Sequence, residues 1–258
     1  MIYELNHLGI VVEDLDRTAA FYTKLFGARE IWRTSIEPAG VDILYLQVAG
    51  SLLEFLVFRD GSRQVGTDHF GFLTDDLDAD YAALVAAGYE SAVEPKVSGS
   101  GVGRQAFILD SDTTRIELLQ RDRPTRLPVV EHPIVLAVDH IALLVDDLDR
   151  SLALYSRALG METVREVEMP AAGVSVTYLG IGGDVIEFLP KPTDGPRIEH
   201  IALRVPDVDA ALQYFIDAGE TPDGQSRAAS SGIGRLGSIT DPDGVVIEVL
   251  DRPGIREL

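Results

Sequence analysis

The sequence predicts an α+β fold of four βαβββ modules arranged as two tandem pairs, and three repeated features predict it. Four segments open alike, with a polar residue and a histidine leading into an apolar strand: Asn6-His7-Leu8-Gly9, Asp68-His69-Phe70-Gly71, Asp139-His140-Ile141-Ala142 and Glu199-His200-Ile201-Ala202. Each strand runs into an acidic turn: EDLD at 13–16, DDLD at 75–78, DDLD at 146–149 and PDVD at 206–209. Each module closes with a glutamate set among apolar residues: Glu54, Glu117, Glu187 and Glu248.

The elements follow in order. Helical patterns cover Thr18–Phe26, Tyr81–Ala87, Ser151–Leu159 and Ala210–Ala218. Aspartate in the preceding turn suits an N-cap, because its carboxylate accepts from the free amides of the first turn. Gly27, Gly88, Gly160 and Gly219 then stand where a left-handed residue ends a helix. Short β-rich runs complete each module. The modules cover residues 1–63, 64–122, 135–194 and 195–258, so that domains of 1–122 and 135–258 flank a polar, proline-containing linker at 123–134.

Composition narrows the function. The net charge of −20 is spread over both halves and repels polyanions, so nucleic acid is not an expected partner. No apolar run is long enough to span a bilayer, and the first residues lack the pattern of a signal peptide. The absence of cysteine excludes disulfides and thiolate metal sites; the expected location is cytoplasmic.

Histidine and glutamate carry the chemistry. Four of the five histidines occupy the repeat position, and the His-to-Glu separations within the modules are 47, 48, 47 and 48 residues. A carboxylate in a strand that packs on a core costs several kcal/mol unless a cation or hydrogen-bond donors compensate it. Imidazole nitrogen with carboxylate oxygen is a donor set for a divalent ion such as Ni, Co, Zn, Mn or Fe. A lone strand histidine is more often a satisfied core residue; four matched His/Glu pairs are not explained that way. Two residues beyond each histidine, on the same strand face, stand the small Gly9, Gly71, Ala142 and Ala202, which either open the cup to a ligand or allow close packing.

A βαβββ module with histidine in its first strand and glutamate in its last resembles the vicinal-oxygen-chelate superfamily, which includes glyoxalase I, methylmalonyl-CoA epimerase, extradiol dioxygenases and drug-resistance proteins. The resemblance covers almost the whole chain. It implies curled mixed sheets, each holding a metal in its cup, with His7, Glu54, His69 and Glu117 as site 1 and His140, Glu187, His200 and Glu248 as site 2, up to two metals per chain. It further implies a metal-stabilised enolate on a small carbonyl substrate, as in an isomerase, epimerase or lyase, with Glu54 or Glu117 and Glu187 or Glu248 as the base. Self-association into a homodimer is also open.

Within the family the segments DHIALLVDDLDRSLALYSRALGM and EHIALRVPDVDAAL are most similar to the epimerase, as are the glycine-rich stretches at 98–104 and 230–235. Pro38 and Ala171 stand where that enzyme has its acidic base, and Glu54 and Glu187 where it often has an amide. The alternative is a ring-cleaving dioxygenase using Fe(II) on His140, His200 and Glu248. Against it, 190–199 offers no extra histidine before the third ligand His200, and Ser238 stands where a tyrosine is expected. A third reading is a sequestering protein without turnover, although such members generally lose the ligands and this chain retains all eight. Arg104 and Arg235, after the glycine loops, and Tyr45 and Tyr178, on matching strands, are the candidate substrate-binding residues; Trp32 is a candidate wall of site 1.

Overall fold

The computed structural model describes residues 1–121, 126–169, 173–191, 193 and 197–258. The first module is β1 (Ile2–Val11), α1 (Leu15–Phe26), β2 (Arg29–Ile36), β3 (Val41–Val48) and β4 (Ser51–Phe58). The second is β5 (Gly66–Thr74), α2 (Leu77–Ala86), β6 (Glu90–Val97), β7 (Arg104–Leu109) and β8 (Arg115–Gln120). The third is β9 (Ala137–Val145), α3 (Leu148–Leu152), β10 (Glu162–Met169), β11 (Val174–Ile181) and β12 (Asp184–Pro190). The fourth is β13 (Ile198–Arg204), α4 (Val208–Asp217), β14 (Arg227–Ala228), β15 (Arg235–Thr240) and β16 (Val246–Leu250). The expected α+β fold of four βαβββ modules is present.

The helices begin two to four residues earlier than their apolar pattern predicts. Asp14, Asp76, Asp147 and Asp207 cap them, each accepting from an amide two or three residues on, so the first turn is set by the cap and not by the buried face. The third helix departs from the others. After Leu152 it takes π spacing over Ala153–Ala158, with the Leu159 amide bonded to the Leu154 carbonyl.

Each half forms one eight-stranded mixed sheet, ordered β2-β3-β4-β1-β5-β8-β7-β6 and β10-β11-β12-β9-β13-β16-β15-β14. The histidine strands β1 and β5 meet antiparallel at the centre, each flanked by the parallel glutamate strand of its own module. The second half repeats this around β9 and β13. One face of each sheet holds Leu8, Ile10, Phe70 and their counterparts against the helices; the other face is the cup.

The two halves share a single apolar core. Phe26 meets Phe215 with ring centroids 5.7 Å apart, and Phe70 meets Tyr155 at 6.4 Å. Two buried hydrogen bonds cross between halves at equivalent places: Tyr22 donates to Asp241 at 3.0 Å and Tyr155 to Asp110 at 3.0 Å. Thus the first module rests on the fourth and the second on the third. Residue 122 and the linker residues 123–125 lie outside the described residues. Arg126 bridges Glu4 at 3.0 Å and Asp184 at 2.6 Å, which anchors its end to both halves. Among the described residues, no helix is long and apolar enough to cross a membrane.

Candidate metal centres

Strand register brings the site residues together. In the first half His7 pairs with Gly71 and His69 with Gly9 across the central strands, while Glu54 and Glu117 lie beside those same glycines on the outer strands. All four side chains therefore project from one face. His7 Nε2 lies 3.3 Å from Glu54, 3.3 Å from Glu117 and 3.2 Å from His69 Nε2. His69 Nε2 lies 3.2 Å from Glu54 and 3.6 Å from Glu117. One donor atom from each of the four falls within 4.8 Å of the others, and all four residues are buried.

A feature not anticipated in the sequence sets the imidazole orientation. Asn6, Asp68, Asp139 and Glu199, each preceding a ligand histidine, fall at interruptions of the central register. An extra residue at a bulge turns two consecutive side chains toward one face. The bulged residue then meets its neighbour's Nδ1: Asn6 at 3.1 Å, Asp68 at 2.9 Å, Asp139 at 2.8 Å and Glu199 at 3.4 Å. This leaves each Nε2 facing the cup and fixes the ring, the arrangement by which outer groups orient metal-ligating histidines. The signal was in the repeat itself: a polar residue precedes all four histidines.

The donor chemistry fits a divalent cation. Two carboxylates and two imidazoles converge in a buried space, and among the described residues neither Glu54 nor Glu117 forms an ion pair with a lysine or arginine. Without a cation the cluster is compensated by protons. Burial would raise the Glu54 carboxyl, but the charge of His7 and the hydrogen bonds from His69 and His7 outweigh it and hold Glu54 well below its ordinary value. Burial likewise works against charge on His69, yet its bonds to Asp68, Glu117 and Glu54 raise it well above the usual imidazole range. A cation taking this place would displace those protons.

Site 2 is more open. His140, Glu187 and His200 gather, with His140 Nε2 at 3.4 Å from both Glu187 and His200 Nε2. Glu248 lines the same cavity, of about 150 Å³, but is not part of the close group. The close group has four members in site 1 and three in site 2. Of the dioxygenase-like triad, His140 and His200 belong to the close group and Glu248 lines the cavity beside them. Burial would raise Glu187, but His140 brings it down to about 2, while His140, opposed by burial, is pushed up to about 10 by Glu187 and Asp139.

The small residues of the central strands lie opposite the imidazoles. A Cβ built on Gly9 would overlap the His69 ring, and one on Gly71 the His7 ring. The space left by these glycines is thus filled by the opposing imidazoles. Ala142 and Ala202 carry the methyl group in site 2, opposite His200 and His140.

The other candidates divide. Tyr45 and Tyr178 enter the cups: they are the direct register partners of Glu54 and Glu187, and Tyr178 donates to Glu187. The Tyr45 ring meets His7 edge-on at 5.3 Å. Trp32 stacks on Tyr45 at 5.9 Å. Arg104 turns instead to the helix side, paired with Asp78 at 2.6 and 2.9 Å, and Arg235 bonds Ser226. Two other arginines stand by the cups, Arg121 and Arg252, each four residues beyond a ligand glutamate. Arg121 donates to the Tyr45 hydroxyl at 2.8 Å; Arg252 donates to Asp139 at 2.6 Å and lies over the Tyr178 ring.

Paired βαβββ modules around a buried His/Glu cup define a class of metal-chelating folds. The chain belongs to the Glyoxalase/Bleomycin resistance protein/Dioxygenase superfamily, whose family model matches residues 4–118 and 137–249. A lactoylglutathione lyase of Arabidopsis thaliana is 27% identical, over 92% of this chain and 88% of its own length. The lactoylglutathione lyase of Salmonella typhimurium is 29% identical over 43% of this chain and 90% of its own, which makes it similar to a single half. In fold the chain is similar to the Mn(II)-bound glyoxalase of Novosphingobium aromaticivorans, with a TM-score of 0.72, 19% identity and coverage of 98% and 83% of the two chains. It is also similar to the 2,3-dioxygenase LapB of Pseudomonas sp. KL28, with a TM-score of 0.68, 18% identity and coverage of 96% and 91%.

Proposed function

We propose that the chain is a divalent-metal-dependent lyase or isomerase that moves a proton at the carbon beside a carbonyl. The buried His7, Glu54, His69 and Glu117 set carries this reading, and the lyase name shared by its sequence relatives supports it. A bound divalent ion would supply Lewis-acid stabilisation to a substrate presenting two adjacent oxygens.

The protein's own groups divide the remaining work. His7 and His69, oriented through Nδ1, form the fixed part of site 1 together with Glu54, whose direct strand partner is Tyr45. Glu117 faces Phe107 across the strand pair, a partner with no hydrogen to donate, so its carboxylate is the freer of the two and takes the proton. In site 2 Tyr178 holds Glu187, and Glu248, apart from the close group, has the corresponding role. Burial of the cup keeps water from competing for that proton.

The test uses metal-loaded protein and S-lactoylglutathione, the compound in the relatives' name. Two metal equivalents, and exchange of the lactoyl C–H hydrogen with deuterated solvent, are expected. The exchange should fall at least ~100-fold, the scale of a lost general base, in the Glu117→Gln/Glu248→Gln double variant. Protein with no affinity for added divalent metal would overturn the reading.

A second reading is favoured by site 2 alone, where two histidines and one carboxylate form a set suited to Fe(II). Catechol-dependent oxygen uptake by iron-loaded protein, lost in His140→Ala and kept in His7→Ala, would favour it.

A further inference from the structure

The two cups treat an equivalent cation differently. Arg121 and Arg252 occupy matching places after β8 and β16, and each reaches the tyrosine of its cup. In site 2 the charge is already answered: Arg252 donates at 2.6 Å to Asp139, the carboxylate that also orients His140. In site 1 the residue matching Asp139 is Asn6, which meets His7 Nδ1 at 3.1 Å but carries no charge. Arg121 therefore turns to the Tyr45 hydroxyl at 2.8 Å, a neutral acceptor, and its buried Nε has no hydrogen-bond partner. Among the described residues no carboxylate lies within ion-pair distance of it.

A guanidinium offers five N–H donors in a planar fork, and the carboxylates whose charge reaches Arg121 are Glu117 and Glu54, the two that a bound cation would neutralise. Leaving Arg121 so placed beside a metal cup makes sense when the counter-charge arrives with a ligand. The neighbourhood points the same way. Asp68 is shared by His69, Arg115 at 3.4 Å and Arg63 at 3.6 Å, so two guanidiniums stand against one carboxylate. The register position of Arg115, opposite His69, is held in site 2 by Val246, opposite His200.

We propose that site 1, and not site 2, takes a substrate carrying a carboxylate beside the oxygens presented to the metal, with Arg121 as the group that holds it. This rests on the reading of the cups as chelating metal sites. The carboxylate pairs with the Arg121 fork and supplies the charge that Asp139 supplies to Arg252. The neutralised second cup takes uncharged carbonyl compounds.

The experiment titrates metal-loaded protein, with site 2 disabled by His140→Ala/His200→Ala, with succinic acid monohydroxamate and with its primary amide. Both present a two-oxygen chelating head, and they differ only in the charge of the tail. The acid is expected to bind about ten- to a hundredfold tighter than the amide, the range of one charge-assisted hydrogen-bonded pair. Arg121→Met should abolish that preference while leaving amide affinity and metal content unchanged, and Arg121→Lys should restore part of it. Equal binding of acid and amide, or a preference that survives Arg121→Met, would overturn the assignment of Arg121 and leave the metal reading standing. Failure of both hydroxamates to bind metal-loaded protein would remove the metal reading and this proposal with it.

Discussion

Gly9 and Gly71 in the first half stand where Ala142 and Ala202 stand in the second, and the donors of the two cups gather differently. Where the residue is glycine, the opposing imidazole settles over the backbone and four donors close to within 4.8 Å. Where it is alanine, His200 is part-exposed and the close group has three members, without Glu248. A strand duplicated with all its ligand residues need not duplicate the ligand geometry.

The largest effect expected from this comparison is at the glycines. Gly9→Ala should open site 1 into the form of site 2, and the overpacking cost of ~1–3 kcal/mol corresponds to about five- to a hundredfold weaker metal binding at that site. Metal stoichiometry under a chelator challenge checks it: wild type should release site 2 metal first, and the variant should lose that order. Release of both metals together from wild type would count against a difference between the cups.

A smaller change acts through the bulges. Asp139→Asn gives site 2 the neutral partner that site 1 has in Asn6. It should weaken metal binding there by about tenfold, at the lower end for an outer-shell partner of a ligating histidine. It also frees Arg252, so the variant's second cup should acquire a preference for the carboxylate hydroxamate over its amide. Metal loss without that preference would show that Arg252 is structural only.

The smallest expected effect lies on the rim. Asp42 accepts from Ser35 and pairs with Arg59, and Arg59 first and then Ser35 hold its carboxyl down to about 2. The matching pair of the second half, Ser175 donating to Glu168, exchanges the two residue types. A carboxyl lowered by folding adds stability above its unfolded value, and that stability is lost as pH falls through the folded value. Asp42→Asn should therefore cost at most ~1 kcal/mol at neutral pH, as for an exposed pair. The difference from wild type in urea titrations should disappear near pH 2.

Much of this architecture was legible because repetition exposes it. The four His/Glu spacings identified strands, cups and ligand types, and the acidic turns identified the caps. The spacing did not reveal side-chain direction. Arg104 and Arg235 recur as faithfully as the ligands, yet their strands turn them toward Asp78 and Ser226. Arg121 and Arg252 recur too, just past the last apolar run of each half, where no period says which face a residue takes. Gly9, Gly71, Ala142 and Ala202 are shown by the sequence as merely small. Their effect appears only when strand register sets them against an imidazole. Ala171, one of the departures from the epimerase pattern, lies outside the described residues.

The crossed tyrosine–aspartate bonds have a consequence for how this chain can be divided. Each half contains one donor and one acceptor of the pair: Tyr22 with Asp110, and Tyr155 with Asp241. At these two bonds the seam is isologous in its chemistry, each half supplying the same donor and the same acceptor. A chain severed between the halves is therefore expected to give fragments that pair with like as well as unlike partners, which size-exclusion of each fragment alone would check; strictly monomeric fragments would count against it.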